Sequence, residues 1–355
     1  ATLWQQRRAE GPALTDGYNT LEHPLFTGTA HVERWAKDEA TAAEAGAWPV
    51  VISLHGGGQG SGDWTQFGKT CRKLFRQELD RFIFLAPNVL QQNYAEWAGN
   101  PLEELWVLEL LDACKRSWPV DCDRVYLAGY SMGGYGTWHI GGHQADRFAG
   151  LASGAGGILI GTGLDETWGW GIIGNLRHTR TAFAHGGKDR PSPPWSDQQA
   201  ATILTELAAA NPDRYPHRFL FYDKKGHGLP GAAMREAVGW ITDGIRQALP
   251  RDITWEPKRP LKHCFHWLAV DQPRCFTRIE ARLEDNRIDL QLTGIDGGLS
   301  ILLNEKLVDL DLPIEVRLDG ERLFQGLARP SLSALAESIA WHFDPAMIFT
   351  HRIDL

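Results

Sequence analysis

Residues 124–138 read RVYLAGYSMGGYGTW, and the fold turns on this stretch. It opens with a short β-rich run, passes through Gly129-Tyr130-Ser131-Met132-Gly133, and continues into a helix-like segment. The five central residues match G-x-S-x-G, a pattern frequent enough by chance that its setting matters more than the match. The chemistry needs a strand that reverses sharply into a helix, so that the serine hydroxyl stands exposed at the turn. Glycines two residues to either side remove side chains that would collide there. In such a turn Ser131 sits in a strained backbone conformation that aims its oxygen and sets the Met132 N–H beside it.

Outward from this turn, short apolar runs recur: Val50–Leu54 (VVISL), Phe82–Leu85 (FIFL), Arg124–Ala128, Thr181–Ala184 (TAFA) and Arg218–Tyr222 (RFLFY). They suit strands buried on both faces of a parallel sheet. Helical patterns alternate with them. Pro101–Ser117 places Val107, Leu110, Leu111 and Cys114 on one face, and Met234, Val238, Ile241 and Ile245 repeat that spacing before Leu249-Pro250. Residues 1–250 therefore read as one α/β domain, a mostly parallel sheet flanked by helices.

Three further loops complete a candidate site. After VVISL comes His55-Gly56-Gly57-Gly58-Gln59-Gly60, where bare backbone can approach a substrate oxygen. Met132 and one of Gly57 or Gly58 are the expected N–H donors to a developing oxyanion. A serine hydroxyl needs a histidine to take its proton and a carboxylate to orient that histidine. TAFA runs into His185-Gly186-Gly187-Lys188-Asp189, and RFLFY leads to Gly226-His227-Gly228. Asp189 is taken as the acid and His227 as the base. Of the competing acids, Asp197 falls in a helix, Asp165 in a Gly/Trp-rich insertion, and Asp223 too near His227.

The HGGG, GYSMGG, HGGKD and GHG motifs, in this order, resemble serine esterases of the α/β-hydrolase superfamily, in particular the polyhydroxybutyrate-depolymerase, feruloyl-esterase and prolyl-oligopeptidase-like groups. The resemblance covers about residues 20 to 250 and implies Ser131 as nucleophile, Asp189 as acid, His227 as base, and the amides of Met132 and the Gly57/Gly58 loop as oxyanion donors. The GYSMGG motif sets the chain apart from hormone-sensitive-lipase-like esterases, which pair HGGG with GDSAGG. The implied activity is cofactor-independent hydrolysis of a carboxylic ester, on a small-molecule or carbohydrate-linked substrate with aryl or acyl groups. Serine peptidase activity of the oligopeptidase-like type is a second reading, and a catalytically silent binding protein a third.

The chain holds fifteen tryptophans. Trp64, Trp97 and Trp195 fall on strand-end loops, and Trp168 and Trp170 in the Gly-rich stretch between Ser153 and His178; together they are expected to form an aromatic wall for the substrate. No metal is expected, because His139 and His143 lack the H-E-x-x-H glutamate, and His263, Cys264, His266 and Cys275 fall on alternating faces of strands. A net charge of −8 without a dense Lys/Arg block argues against nucleic acid. No apolar run approaches the roughly 20 residues that cross a bilayer. The expectation is a soluble protein, cytoplasmic or exported after removal of a leader. Five cysteines, an odd number, lean towards a reducing compartment.

After Arg251 the pattern changes to strict alternation, as in Ile279, Ala281, Leu283 against Arg278, Glu280, Arg282. Asp285-Asn286 and Asp319-Gly320 mark hairpin turns, and one helix covers about 331–341. Residues 251–355 are read as an all-β, sandwich-like accessory domain of antiparallel strands. It is expected either to pack beside the catalytic mouth or to assemble the chain into a homo-oligomer.

Overall fold

A computed structural model describes residues 2–57, 63–90, 97–98, 101–158, 170–258, 261–275, 277–294 and 298–355, with the backbone alone at residues 2, 170 and 171. The chain divides into two compact units, residues 11–246 and residues 247–355 together with 1–10. Its helices are α1 (Thr2–Ala9), α2 (Glu39–Ala43), α3 (Gly68–Glu78), α4 (Pro101–Ser117), α5 (Met132–His143), α6 (Trp170–Asn175), α7 (Trp195–Ala210), α8 (Gly231–Thr242) and α9 (Leu332–His342).

The larger unit is built on eight strands: β1 (Gly17–His23), β2 (Phe26–Ala36), β3 (Trp48–Leu54), β4 (Arg81–Pro87), β5 (Val120–Tyr130), β6 (Gly150–Gly154), β7 (Arg180–Gly186) and β8 (His217–Tyr222). They lie in the order β1-β2-β4-β3-β5-β6-β7-β8. From β4 onward every pair is parallel, while β2 runs antiparallel to both β1 and β4. All five runs read as strands lie in this sheet. Their loops therefore gather at the carboxyl ends of β3, β5, β7 and β8, where open α/β sheets hold their ligands.

On one face α3 and α8 share a core with Val51, Phe84, Tyr126, Ala152 and Ala182. Successive strand residues point to opposite faces. Leu151 therefore faces the other way, and there α5 packs so closely that a Cβ on Gly141 would lie 2.6 Å from its methyl carbons. Ile245, which helical spacing placed on the α8 stripe, lies beyond the helix end at Thr242 and is 69% exposed.

In the second unit the strands are β9 (Asp252–Trp255), β10 (Cys264–Phe265), β11 (Leu268–Val270), β12 (Arg278–Glu284), β13 (Arg287–Thr293), β14 (Leu299–Leu303), β15 (Ile314–Leu318), β16 (Glu321–Gly326), β17 (Arg329–Pro330) and β18 (His351–Asp354). They make two five-stranded sheets, β10-β11-β14-β18-β17 and β16-β15-β13-β12-β9. Asp285 and the Asp319-Gly320 pair carry the positive φ that tight hairpins need. One expectation fails: β13 and β15 pair in parallel, so the second sheet is mixed. Residues 1–10, grouped by the sequence reading with the first 250, belong to this unit. Their reason is aromatic: Trp4 lies 5.0 Å from the Phe343 ring, and the Arg7 guanidinium sits over it. No described helix is long and apolar enough to cross a membrane.

Candidate active site

Ser131 stands between β5 and α5 with φ 58° and ψ −121°, a conformation that costs of order 1–3 kcal/mol for a residue with a Cβ. Tight backbone bonds hold it there: its N–H donates to the Gly154 carbonyl at 2.8 Å, and its own carbonyl accepts from Tyr135 N–H at 3.1 Å. The flanking glycines are required by contact. A Cβ on Gly129 would lie 2.0 Å from the Gly133 carbonyl oxygen, and one on Gly133 would lie 2.1 Å from that of Leu54. Met132 opens α5, so its N–H is one of the helix's unpaired N-terminal donors.

His227, on the loop after β8, bridges the other two predicted residues. Its Nε2 is 2.9 Å from Ser131 Oγ and its Nδ1 is 2.8 Å from Asp189 Oδ2. Asp189 lies just past β7 with its side chain fully buried, and its Oδ1 accepts from Ser192 N–H at 3.0 Å. An Nδ1–H held by the carboxylate leaves Nε2 with its lone pair towards the serine hydroxyl. The three residues thus form one hydrogen-bonded chain from a buried carboxylate to a hydroxyl at a strained turn.

The loop after β3 runs beside this chain: a Cβ on Gly56 would fall 3.6 Å from Ser131 Cβ, and Gly57 takes φ 131°. Gly58 lies outside the described residues. His55 anchors the start of the loop. It is fully buried, and its Nε2 accepts from Val89 N–H at 3.2 Å while Nδ1 lies 2.8 Å from the Gly56 carbonyl. A ring that accepts at one nitrogen and donates at the other is neutral, and burial, partly opposed by the Gly56 carbonyl, holds its pKa below the ordinary value.

The five tryptophans expected to form an aromatic wall have different surroundings. Trp64 is half-buried and stacks flat on His31 at 4.0 Å, and Trp195 is 50% exposed at the start of α7. Trp97 is a correction: it is 1% exposed, and its indole N–H donates to the His55 carbonyl at 3.0 Å, so it supports the glycine loop from within the core. Trp168 lies outside the described residues, and of Trp170 only the backbone is described. Among the described residues no cluster of three or more His, Cys, Asp or Glu is placed to hold a metal ion.

Three polar residues of the site were not singled out by the sequence reading. Tyr130 packs edge-on to the His227 ring. His185 and Asp197 are bonded to each other under Asp189, Nδ1 to Oδ2 at 2.7 Å. Asp197 had been set aside because it falls in a helix, and it does lie in the first turn of α7, fully buried. The signal for His185 was the HGGKD motif itself, which sets it four residues before Asp189 at a strand end; Asp197 lies twelve residues on, outside the motif.

No family model matches the chain. The bifunctional acetylxylan esterase/xylanase XynS20E of Neocallimastix patriciarum is 38% identical over 56 residues, which is 16% of this chain and only 8% of that protein. Among solved structures, a thermostable esterase aligns with TM-score 0.49 and 20% identity over 64% of this chain and 63% of its own. A ferulic acid esterase aligns with TM-score 0.48 and 16% identity over 64% of this chain and 97% of its own. Est1E from Butyrivibrio proteoclasticus aligns with TM-score 0.46 and 13% identity over 63% and 97%. The strand order and the turn at Ser131 give residues 11–246 the fold of an α/β-hydrolase, with Ser131, Asp189 and His227 following β5, β7 and β8.

Proposed function

We propose that the protein is a serine carboxylic-ester hydrolase that works through an acyl-enzyme, with Ser131 as nucleophile, His227 as general base and acid, and Asp189 as the orienting carboxylate. The observation that carries this is the unbroken hydrogen-bonded chain Ser131 Oγ, His227 Nε2, His227 Nδ1, Asp189 Oδ2. Ser131 Oγ attacks the ester carbonyl as its proton passes to His227 Nε2. The resulting oxyanion is received by the Met132 N–H and an N–H of the loop at Gly57 or Gly58. As the tetrahedral intermediate collapses, the C–O bond to the alcohol breaks and His227 returns the proton to the leaving oxygen. Water then repeats the sequence on the acyl group and frees Ser131.

For the substrate, the half-buried Trp64 and exposed Trp195 favour an aryl or sugar-linked ester over a bare alkyl one. The stretch shared with an acetylxylan esterase/xylanase adds acetylated sugars to the panel worth assaying. We take the two sheets of the second unit as a sandwich-like accessory domain rather than a source of reacting groups.

The test is Ser131→Ala. It should lower kcat on p-nitrophenyl acetate by roughly 10⁴- to 10⁶-fold with an unchanged far-UV spectrum, and should abolish labelling by a fluorophosphonate. A variant that keeps more than a tenth of wild-type turnover would sink the assignment.

A further inference from the structure

Asp189 is touched by two histidines. Besides His227, the Nε2 of His185 lies 3.4 Å from the same oxygen, Oδ2. His185 is the last residue but one of β7 and has no solvent exposure. Its Nδ1 is 2.7 Å from Asp197 Oδ2, and its Nε2 is 2.7 Å from the Ser192 carbonyl oxygen. A carbonyl oxygen only accepts, so Nε2 carries a hydrogen; the carboxylate at Nδ1 accepts a second one. The indole of Trp138 donates to the other oxygen of Asp197 at 3.0 Å, which favours the ionised carboxylate. Burial raises the pKa of Asp197, against the His185 bond and charge and the Trp138 N–H; the carbonyl acceptor at Nε2 favours placing the proton between the pair on His185, as an imidazolium. Burial alone would strip its proton, but the Asp197 bond and charge, the Ser192 carbonyl and the charge of Asp189 outweigh that and raise its pKa.

From this geometry we infer that His185, held by Asp197, is a positioning residue for Asp189 that fixes its carboxylate and offsets part of its negative charge. The inference rests on the proposed ester-hydrolase reading for its kinetic consequence, but its structural core does not. Two buried carboxylates, Asp189 and Asp197, thus face the two nitrogens of one imidazole, at 3.4 and 2.7 Å. A pair meant only to pin the loop would have no reason to turn its cationic edge to Asp189. Among the described residues, the groups that face this cluster are Asp197 from α7, Trp138 and Tyr135 from α5, Asp189 and Ser192 from the loop after β7, Tyr130 from the end of β5, and His227 from the loop after β8.

With the cation present, Asp189 pulls less strongly on the proton of His227. Removing it leaves that carboxylate acting on His227 alone, so the base holds its proton to higher pH. Asp197→Asn is the discriminating change, because it touches neither Asp189 nor His227 and acts only by taking the counterion from His185.

The experiment is the pH dependence of kcat/KM for p-nitrophenyl acetate in wild type, His185→Gln and Asp197→Asn. Both variants should move the acidic limb upward, so that kcat/KM at pH 6 falls about 3- to 10-fold further than at pH 8 while KM is unchanged. Limbs that overlay the wild-type limb in both variants would overturn the inference. Nitrogen-15 NMR of the histidine rings in the wild-type protein gives a readout that needs no variant to fold and no turnover. His185 should remain protonated at both nitrogens between pH 6 and 8, and a neutral His185 ring in that range overturns the inference. If Ser131 fails to react with a fluorophosphonate, the ester-hydrolase reading fails, while the NMR result still decides the state of His185.

Discussion

The hydroxyl of Tyr130 holds the backbone of His227. It donates to the His227 carbonyl oxygen and accepts from Leu229 N–H at 3.0 Å, so the residue just before Ser131 clasps the loop that carries the base. The strand that aims the serine therefore also sets the height of the histidine. Tyr130→Phe keeps the ring but removes both bonds, each worth about 1 kcal/mol net. We expect kcat/KM for p-nitrophenyl acetate to fall about 10-fold, mostly in kcat. Amide exchange at residues 225–229 should quicken in parallel. Unchanged kcat together with unchanged exchange would show that the clasp is idle.

The glycines around Ser131 differ in what they tolerate, and the difference is measurable. A Cβ on Gly129 would lie 2.0 Å from backbone oxygen, with no flexible side chain to move aside, whereas one on Gly228, the neighbour of His227, would meet nothing within 4 Å. Gly129→Ala should cost roughly 3 kcal/mol or more, as an overpacked site that cannot relax, and yield little soluble protein. Gly228→Ala should leave the urea midpoint within about 0.5 kcal/mol of wild type. Equal stability of the two variants would contradict the close approach of β5 to α5.

Much of this site was legible because its residues carry their own punctuation. Ser131, Asp189 and His227 each follow an apolar run and sit among glycines, so strand ends and loop residues could be read together. β6 was not legible, and its sequence, GLASG, explains why. Gly150 and Gly154 are small because α8 lies against them: a Cβ on the first would be 2.7 Å from Ile241 Cβ, and one on the second 2.5 Å from Met234 Sδ. Packing by a later helix, rather than β-propensity, selects those residues. β1 and β2 were passed over although Ala30 and Val32 alternate in burial with half-buried neighbours, since nothing local tells that this hairpin joins a parallel sheet. Trp97 was misjudged because a tryptophan on a loop looks the same in sequence whether it faces solvent or supports the loop from beneath.

His55 makes a contribution to stability that is lost as pH falls through the histidine range. Its folded pKa lies below the unfolded value, so in the window beneath about pH 6.5 the unfolded chain binds a proton that the folded chain refuses. Its contribution is complete above that pH and is lost as pH falls towards the folded value. His185 works in the opposite sense: with its folded pKa raised, its contribution is complete below about pH 6.5 and is lost as pH rises through the folded value. The two can be separated by substitution. His55→Gln keeps an acceptor for Val89 N–H but has no proton to gain, so it should flatten the loss of stability between pH 7 and 5.5. Urea unfolding followed by tryptophan fluorescence at those two pH values, in wild type and variant, reads this directly. A variant whose stability drops as steeply as wild type over that interval would mean that His55 is not held neutral by the glycine loop it anchors.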